Sequence, residues 1–326
     1  MVSLVRVAAA LCMVFVLTTI STISATGGAT LIAPYYGYSF NWSGYAIVVG
    51  GETFVTPAGN MIWVSTEANP IYPYTVSYVY GEWTVPEIVP GTTGFMADVA
   101  VWVGIDGYDS NTVEQIGTSS EYNPYTGEIT YWAWWEVYPK FSHRIRAMTV
   151  NPGHEIEAYV KFIPVGKSPA VPGRGTFILS LTDRTTGESF RIVQGANRPG
   201  LYQRSSAEWV VERGAFYNPS TKLAYFAELS QFDLPVEFTD CQATITAPDG
   251  VPINYDRMWM IAPIPPDYGY GDAYGSIPTT FDQLIIAETA LSTGDLTSGG
   301  SFTVSWIPFD TQEAVLPWPY PTPEGS

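Results

Sequence analysis

The chain has 326 residues, enough for one large all-β domain or two average domains. It carries 31 Asp and Glu against 14 Lys and Arg, a formal net charge of −17. No basic surface is left to neutralise phosphates, which argues against nucleic-acid binding, and two His and two Cys supply poorly any zinc site, histidine triad or disulfide framework.

The N-terminus reads as a secretory signal. Arg6 supplies the positive charge, an apolar run extends from about Val7 to Ile20, and the small-residue stretch STISA follows, so cleavage is expected after Ala25. The run is short for a membrane span, and no later segment is apolar enough to cross. The expected product is secreted and soluble. Cys12 leaves with the signal, so Cys241 stands alone, no internal disulfide is expected, and stability must come from a core. Without Arg6, the only charged residue before Thr26, the chain carries 13 basic and 31 acidic groups, net −18. In strong acid these carboxylates protonate and self-repulsion becomes modest, a composition suited to work in acid.

The main domain is expected over 26–308, and NWSGYA (41–46) lies near its start. Residues 49–76, with GGETFVTPAGN and ANPIYPYT, read as a long hairpin or loop insertion. Short alternating or apolar runs then recur between turn signals: SYVYGEWTV, DVAVWVGI, EITYWAWWEVY, EIEAYVKFIPV, TFILSLTD, AEWVVER, ATITAP and SFTVSWI. Many strands without a βαβ rhythm indicate an all-β antiparallel sandwich or barrel. TTFDQLIIAETAL (279–291) fits a short helix or a strand, and 262–278, rich in Pro, Gly and Tyr, reads as a surface loop. Residues 309–326 form a Pro-rich, extended C-terminal tail.

Several chemistries lack their motifs. There is no HExxH, no GxSxG, no Gly-rich phosphate loop, and no paired Asp-Thr-Gly or Asp-Ser-Gly. Neither metal nor cofactor is expected, so any chemistry must use carboxylates, amides or hydroxyls.

Three runs could supply it. In WVGIDGYDSNTVEQIG (102–117), Val113, Gln115 and Gly117 share a strand face, with Gln115 in mid-strand. In YWAWWEVYP (131–139), Trp132, Trp134, Glu136 and Tyr138 share one face and Tyr131, Ala133, Trp135 and Val137 the other. Two Trp, a Glu and a Tyr make a poor sealed core and a good cleft floor. In SSAEWVVERG (205–214), Ala207, Trp209 and Val211 face one way, and Ser206, Glu208, Val210 and Glu212 the other. By pattern alone, Gln115 reads as a surface residue, Glu208 and Glu212 as a solvated face, and Asp106 as a turn residue. A glycoside hydrolase or sugar-binding sandwich using Glu136 and Glu208, and a non-enzymatic surface protein, also fit the pattern.

Taken in order, NWSGYA (41–46), GEWTVP (81–86), WVGIDG (102–107), EQIGT (114–118), YWAWWEVYP (131–139) and AEWVVE (207–212) resemble the glutamic peptidases, the eqolisin or G1 family. The resemblance spans about 41–242. It implies a concanavalin A-like antiparallel β-sandwich with a concave substrate cleft, and an acid endopeptidase acting on polypeptides. It also implies a Glu–Gln dyad, with Gln115 from EQIGT and Glu208 from AEWVVE, and substrate-site residues Trp134, Glu136 and Asp106, the last supporting the dyad. Unlike the well-known secreted fungal members, this chain has no disulfide to draw on. Little chain separates Ala25 from NWSGYA, so a long inhibitory propeptide is not expected.

Overall fold

The computed structural model describes residues 42–48, 75–90, 96–108, 110, 112–165, 174–197, 202–218, 223–232, 234–246 and 301–306, with short strands at 5–6, 15–17, 36–38, 52–55, 61–64, 252–255 and 259–262. Nearly all of the 262–278 loop, the 279–291 segment and the 309–326 tail lie outside the described residues. Within 49–76 the backbone forms a hairpin, Glu52–Val55 pairing antiparallel with Met61–Val64.

Eleven strands carry the architecture: β1 (Trp42–Val48), β2 (Thr75–Thr84), β3 (Ala97–Ile105), β4 (Glu114–Asn123), β5 (Glu128–Val137), β6 (Glu155–Pro164), β7 (Gly175–Asp183), β8 (Ser189–Ala196), β9 (Ser206–Glu212), β10 (Val236–Thr246) and β11 (Phe302–Val304). No helix occurs among the described residues. The first sheet runs β5-β4-β3-β9-β1, flanked by His143–Arg144 beside β5 and by Trp259–Ala262 beside β1. The second runs β8-β7-β6-β2-β10, with β11 also paired to β10. All the pairings among β1–β11 are antiparallel. The sequence's choice between sandwich and barrel resolves as a sandwich of two sheets.

Aromatic and β-branched residues build these strands because they pack well on a pleated surface. Turn chemistry ends them. Between β4 and β5, Gly127 takes φ +71° and donates its N–H to Asn123 O at 2.8 Å, a conformation that favours glycine.

The inward faces of both sheets form one core, including Tyr45, Val79, Trp83, Val101, Val103, Val160, Phe177, Trp209 and Phe238. Two indoles cross between the layers. Trp209 on β9 donates its Nε1–H to Tyr80 O at 2.7 Å, and Trp83 on β2 donates to Thr118 Oγ1 at 3.0 Å. Each buries a large ring and satisfies its one polar atom, the condition under which Trp stabilises a core. The outer face of the first sheet carries a second buried cluster of Trp42, Ala46, Ala100, Trp102, Tyr108, Val113, Trp132, Trp134 and Val210, with Tyr138 against it. The first sheet is therefore covered on both faces, and β3 and β9 are buried at every residue. The facing expected for β5 and β9 from their period-two pattern is the facing observed.

Gly44, inside NWSGYA, is where β1 touches β9 most closely. It has φ +146°, and a Cβ there would lie 2.1 Å from Trp209 O, a backbone atom that cannot swing away. Gly44→Ala is expected to cost on the order of 3 kcal/mol, lowering the melting temperature by roughly 6–12 °C in scanning calorimetry.

Candidate active site

The registers of the first sheet align one transverse row on its outer face: Glu136 opposite Gln115, Gln115 opposite Gly104, Gly104 opposite Glu208, and Glu208 opposite Ala46. Directly opposed residues in antiparallel strands present their side chains to the same face. Gln115 and Glu208 are two strands apart, about 10 Å between backbones. The residue between them has no side chain. Gln115 is not in mid-strand but second in β4, which sets the row close to the end of β3 and to Asp106.

The surroundings of Gly104 explain why a glycine sits there. A Cβ would meet Trp102 Cζ3 at 2.7 Å and Gln115 Cβ at 3.3 Å. The Trp102 ring therefore leans over Gly104 and floors the gap. Its other end is anchored: Trp102 Nε1–H donates to Glu212 Oε2 at 2.7 Å, and its ring meets Trp42 edge-on at 4.9 Å between centroids. Glu212 is thus a carboxylate holding an indole, whereas Glu208, four residues earlier on the same face, lies in the row with Gln115.

Gln115, Glu136 and Glu208 have no solvent exposure. The Gln115 amide donates one N–H to Glu136 Oε2 at 2.8 Å. A primary amide has a second N–H, so this bond orients the group and leaves a donor to spare. Gln115 Oε1 is buried and accepts no hydrogen bond among the described residues. Glu136 and Glu208 lie three strands apart, about 14 Å between backbones. Trp134 lies one row away, opposite Gly117, and packs with Trp102 and Trp132.

Asp106 stands outside the row. It is a turn residue, at φ +68° just past β3, but one that is fully buried. Its Oδ1 accepts the Ser205 N–H at 2.8 Å and the Ser205 hydroxyl at 3.3 Å, Thr112 Oγ1 donates to its Oδ2 at 3.4 Å, and its own N–H donates to Ser206 O at 3.0 Å. It ties the start of β9, and hence Glu208, to the end of β3. Burial pushes its carboxyl up, while the Arg204 and Ser205 N–H groups, the Ser205 hydroxyl and the Arg204 charge pull it back down.

Two further charged residues escape sequence reading. Glu114 precedes Gln115 on the strand and so faces the interior, paired with core residues Ile105 and Val137. Arg204, at φ +54°, is buried with its guanidinium 4.0 Å from the centre of the Phe162 ring. Burial lowers Arg204 to about 10, opposed by Asp106 and Glu114, so it remains a cation. Burial first, then the charges of Asp106 and Glu208, hold Glu114 well above its ordinary 4.5, with Arg204 opposing. Both Glu114 oxygens are buried without a hydrogen-bond partner among the described residues, as befits a carboxyl kept neutral. Loop residues such as Arg204 give no periodic signal, and a Glu at a strand start reads as solvated.

A raised carboxyl binds its proton more tightly in the folded chain than in the unfolded one. The stability linked to Glu114 is therefore complete below its ordinary 4.5 and falls as pH rises toward its folded value. Glu114→Gln is expected to raise the melting temperature near pH 7 by roughly 2–8 °C while leaving it nearly unchanged near pH 3. Parallel melting curves across pH for the two proteins would contradict this.

A family model described as the Peptidase A4 family matches residues 64–264. The chain is 25% identical over 225 residues to aspergillopepsin-2 of Aspergillus niger, covering 64% of this chain and 65% of that protein. It is 29% identical over 170 residues to scytalidopepsin B of Scytalidium lignicola, covering 52% and 59%. The matches thus span somewhat less than two thirds of each curated relative. A solved scytalido-glutamic peptidase, crystallised with a transition state analog inhibitor, is similar at a TM-score of 0.54 and 21% identity, covering 82% of this chain and 98% of that one. At that identity the likeness is one of fold.

Proposed function

The chain belongs to the Peptidase A4 family, and from that premise we propose that it is a secreted glutamic endopeptidase that hydrolyses polypeptides in acid, with Glu208 and Gln115 as its catalytic pair. The observation that carries the reading is the row in which a buried amide and a buried carboxylate flank a residue with no side chain. Around that row we propose a leader over 1–25, a peptidase domain over 26–308 with an insertion at 49–76, and a tail over 309–326.

Peptide hydrolysis by carboxylate and amide requires a water, a base and a donor for the oxyanion. Water occupies the gap over Gly104, held by Glu208 and Gln115. Glu208 takes a proton from the water as its oxygen bonds to the scissile carbonyl carbon. The carbonyl oxygen becomes an oxyanion and accepts from the free N–H of Gln115. Glu136, by accepting one amide N–H, fixes the rotation of the amide and leaves the second N–H for the reacting centre. The C–N bond then breaks as Glu208 passes its proton to the departing amine. A glutamate, ordinarily near ~4.3, serves as base in mild acid, where histidine would be protonated. An amide does not titrate, so the oxyanion donor persists across that range. Trp134 and Glu136 border the substrate's path, and Asp106 holds β9 so that Glu208 stays in register.

Hydrolysis of an unfolded protein near pH 4 tests this. Glu208→Gln is expected to abolish turnover, and Gln115→Ala to lower kcat by roughly 10²–10³-fold, both with unchanged circular dichroism. Full turnover in either folded variant would remove that residue from the chemistry.

A further inference from the structure

The outer face of the first sheet is lined by carboxyl groups: Asp98, Glu121, Glu136, Glu208 and Glu212 all fall on its rows. Strands β1, β3, β4, β5 and β9 contain no Lys or Arg. Among the described residues, Arg144 brings a cation to this face from the flank. Arg144, in the short strand His143–Arg144, pairs directly with Trp134 and so shares its face. Its guanidinium lies over the Trp132 ring, 5.0 Å from the centroid. Trp132 is 7% exposed whereas Arg144 is exposed, so a buried ring carries a solvent-accessible guanidinium. The neighbour in the pair, His143, points the other way and stacks on Trp135 at 4.4 Å. Of the carboxylates nearest in the rows, Glu136 accepts from Gln115, one row above, and Glu121 lies two rows below.

We infer that Arg144 is a specificity-determining residue, binding a substrate carboxylate at one end of the cleft. This rests on the peptidase reading above. A guanidinium stacked on an aromatic ring has lost part of its rotamer freedom and keeps its fork of N–H donors, the arrangement that recognises a carboxylate. From Gln115 to Arg144 is two strands across and one side-chain step along the sheet, about 12 Å in all, which three or four residues of extended peptide cover. The carboxylate belongs to an Asp or Glu side chain at that distance from the scissile bond, or to the peptide's own C-terminus. On a face that carries several acids, this cation would set where an acidic group is tolerated.

Binding of labelled peptides to the hydrolysis-deficient Glu208→Gln chain, followed by fluorescence anisotropy, reads this subsite without turnover. A neutral peptide is compared with versions carrying Asp or Asn at each position in turn, and with a free or an amidated C-terminus. At about pH 5, where Asp and terminal carboxylates are ionised, one Asp position or the free terminus is expected to bind roughly three- to fivefold tighter than its neutral counterpart. Which arm responds identifies the source of the carboxylate. The preference should fade near pH 2.5, survive Arg144→Lys in part, vanish in Arg144→Gln and reverse in Arg144→Glu. If no position and no terminus distinguishes the Arg144 chain from Arg144→Gln, the inference is overturned. A preserved preference in a chain whose wild type hydrolyses nothing would sink the peptidase reading and leave this subsite standing.

Discussion

The rest of the structure depends on one strand whose two faces are both committed. Trp209 of β9 is buried in the core with its indole N–H donated across the sandwich to Tyr80 O. A strand alternates faces, so fixing Trp209 inward fixes Glu208 and Val210 outward, and a slip of one residue would exchange them all. Gly44 on one side and β3 on the other close in too tightly to permit such a slip. Position follows from packing: the burial of Trp209 beside it sets the face on which Glu208 stands. The same logic acts on β4, where Ile116 turned into the core leaves Gln115 on the outer face.

Burial of so many carboxyls gives the fold its chemical character. Asp98, Asp106, Glu114, Glu136, Glu208 and Glu212 are each no more than 4% exposed. At neutral pH such a set would bring several charges into a poorly solvated interior, with desolvation and mutual repulsion acting together. In acid most carboxyls are neutral, and the cost falls. The excess of 31 acidic over 14 basic residues is thus partly a property of the interior as well as of the surface. The proposed action in acid and a core that tolerates acid would be two consequences of the same side chains.

Much of this was legible along single strands and little of it between them. Alternation assigned Trp132, Trp134 and Glu136 to one face of β5 and Ala133, Trp135 and Val137 to the other, as found. It could not separate Glu208 from Glu212, which share a face. That distinction came from the family resemblance and acquires a physical reason in Trp102, whose indole N–H engages Glu212. The row Glu136–Gln115–Gly104–Glu208 needs three cross-strand registers, none of which one sequence encodes visibly. Asp106 read as a turn and is one. Its bonds to Ser205, 99 residues later, are invisible to any local pattern. Glu114 and Arg204 failed for a related reason, since a charge at a strand start or in a loop reads as solvated until the tertiary structure covers it.

On the proposed reading, the peptide bond is cut between Gln115 and Glu208, over the Trp102 ring that takes the place of a side chain at Gly104. The most direct measurement compares peptide hydrolysis by the wild type and by Gly104→Ala, with thermal unfolding of both at the same acid pH. The added methyl meets the Trp102 ring and Gln115 Cβ, so kcat should fall by about 100-fold or more, as expected when reacting groups move by an ångström, while the chain still unfolds cooperatively as a folded protein. Wild-type turnover from a folded Gly104→Ala chain would mean that the gap between Gln115 and Glu208 is not where the peptide bond is cut.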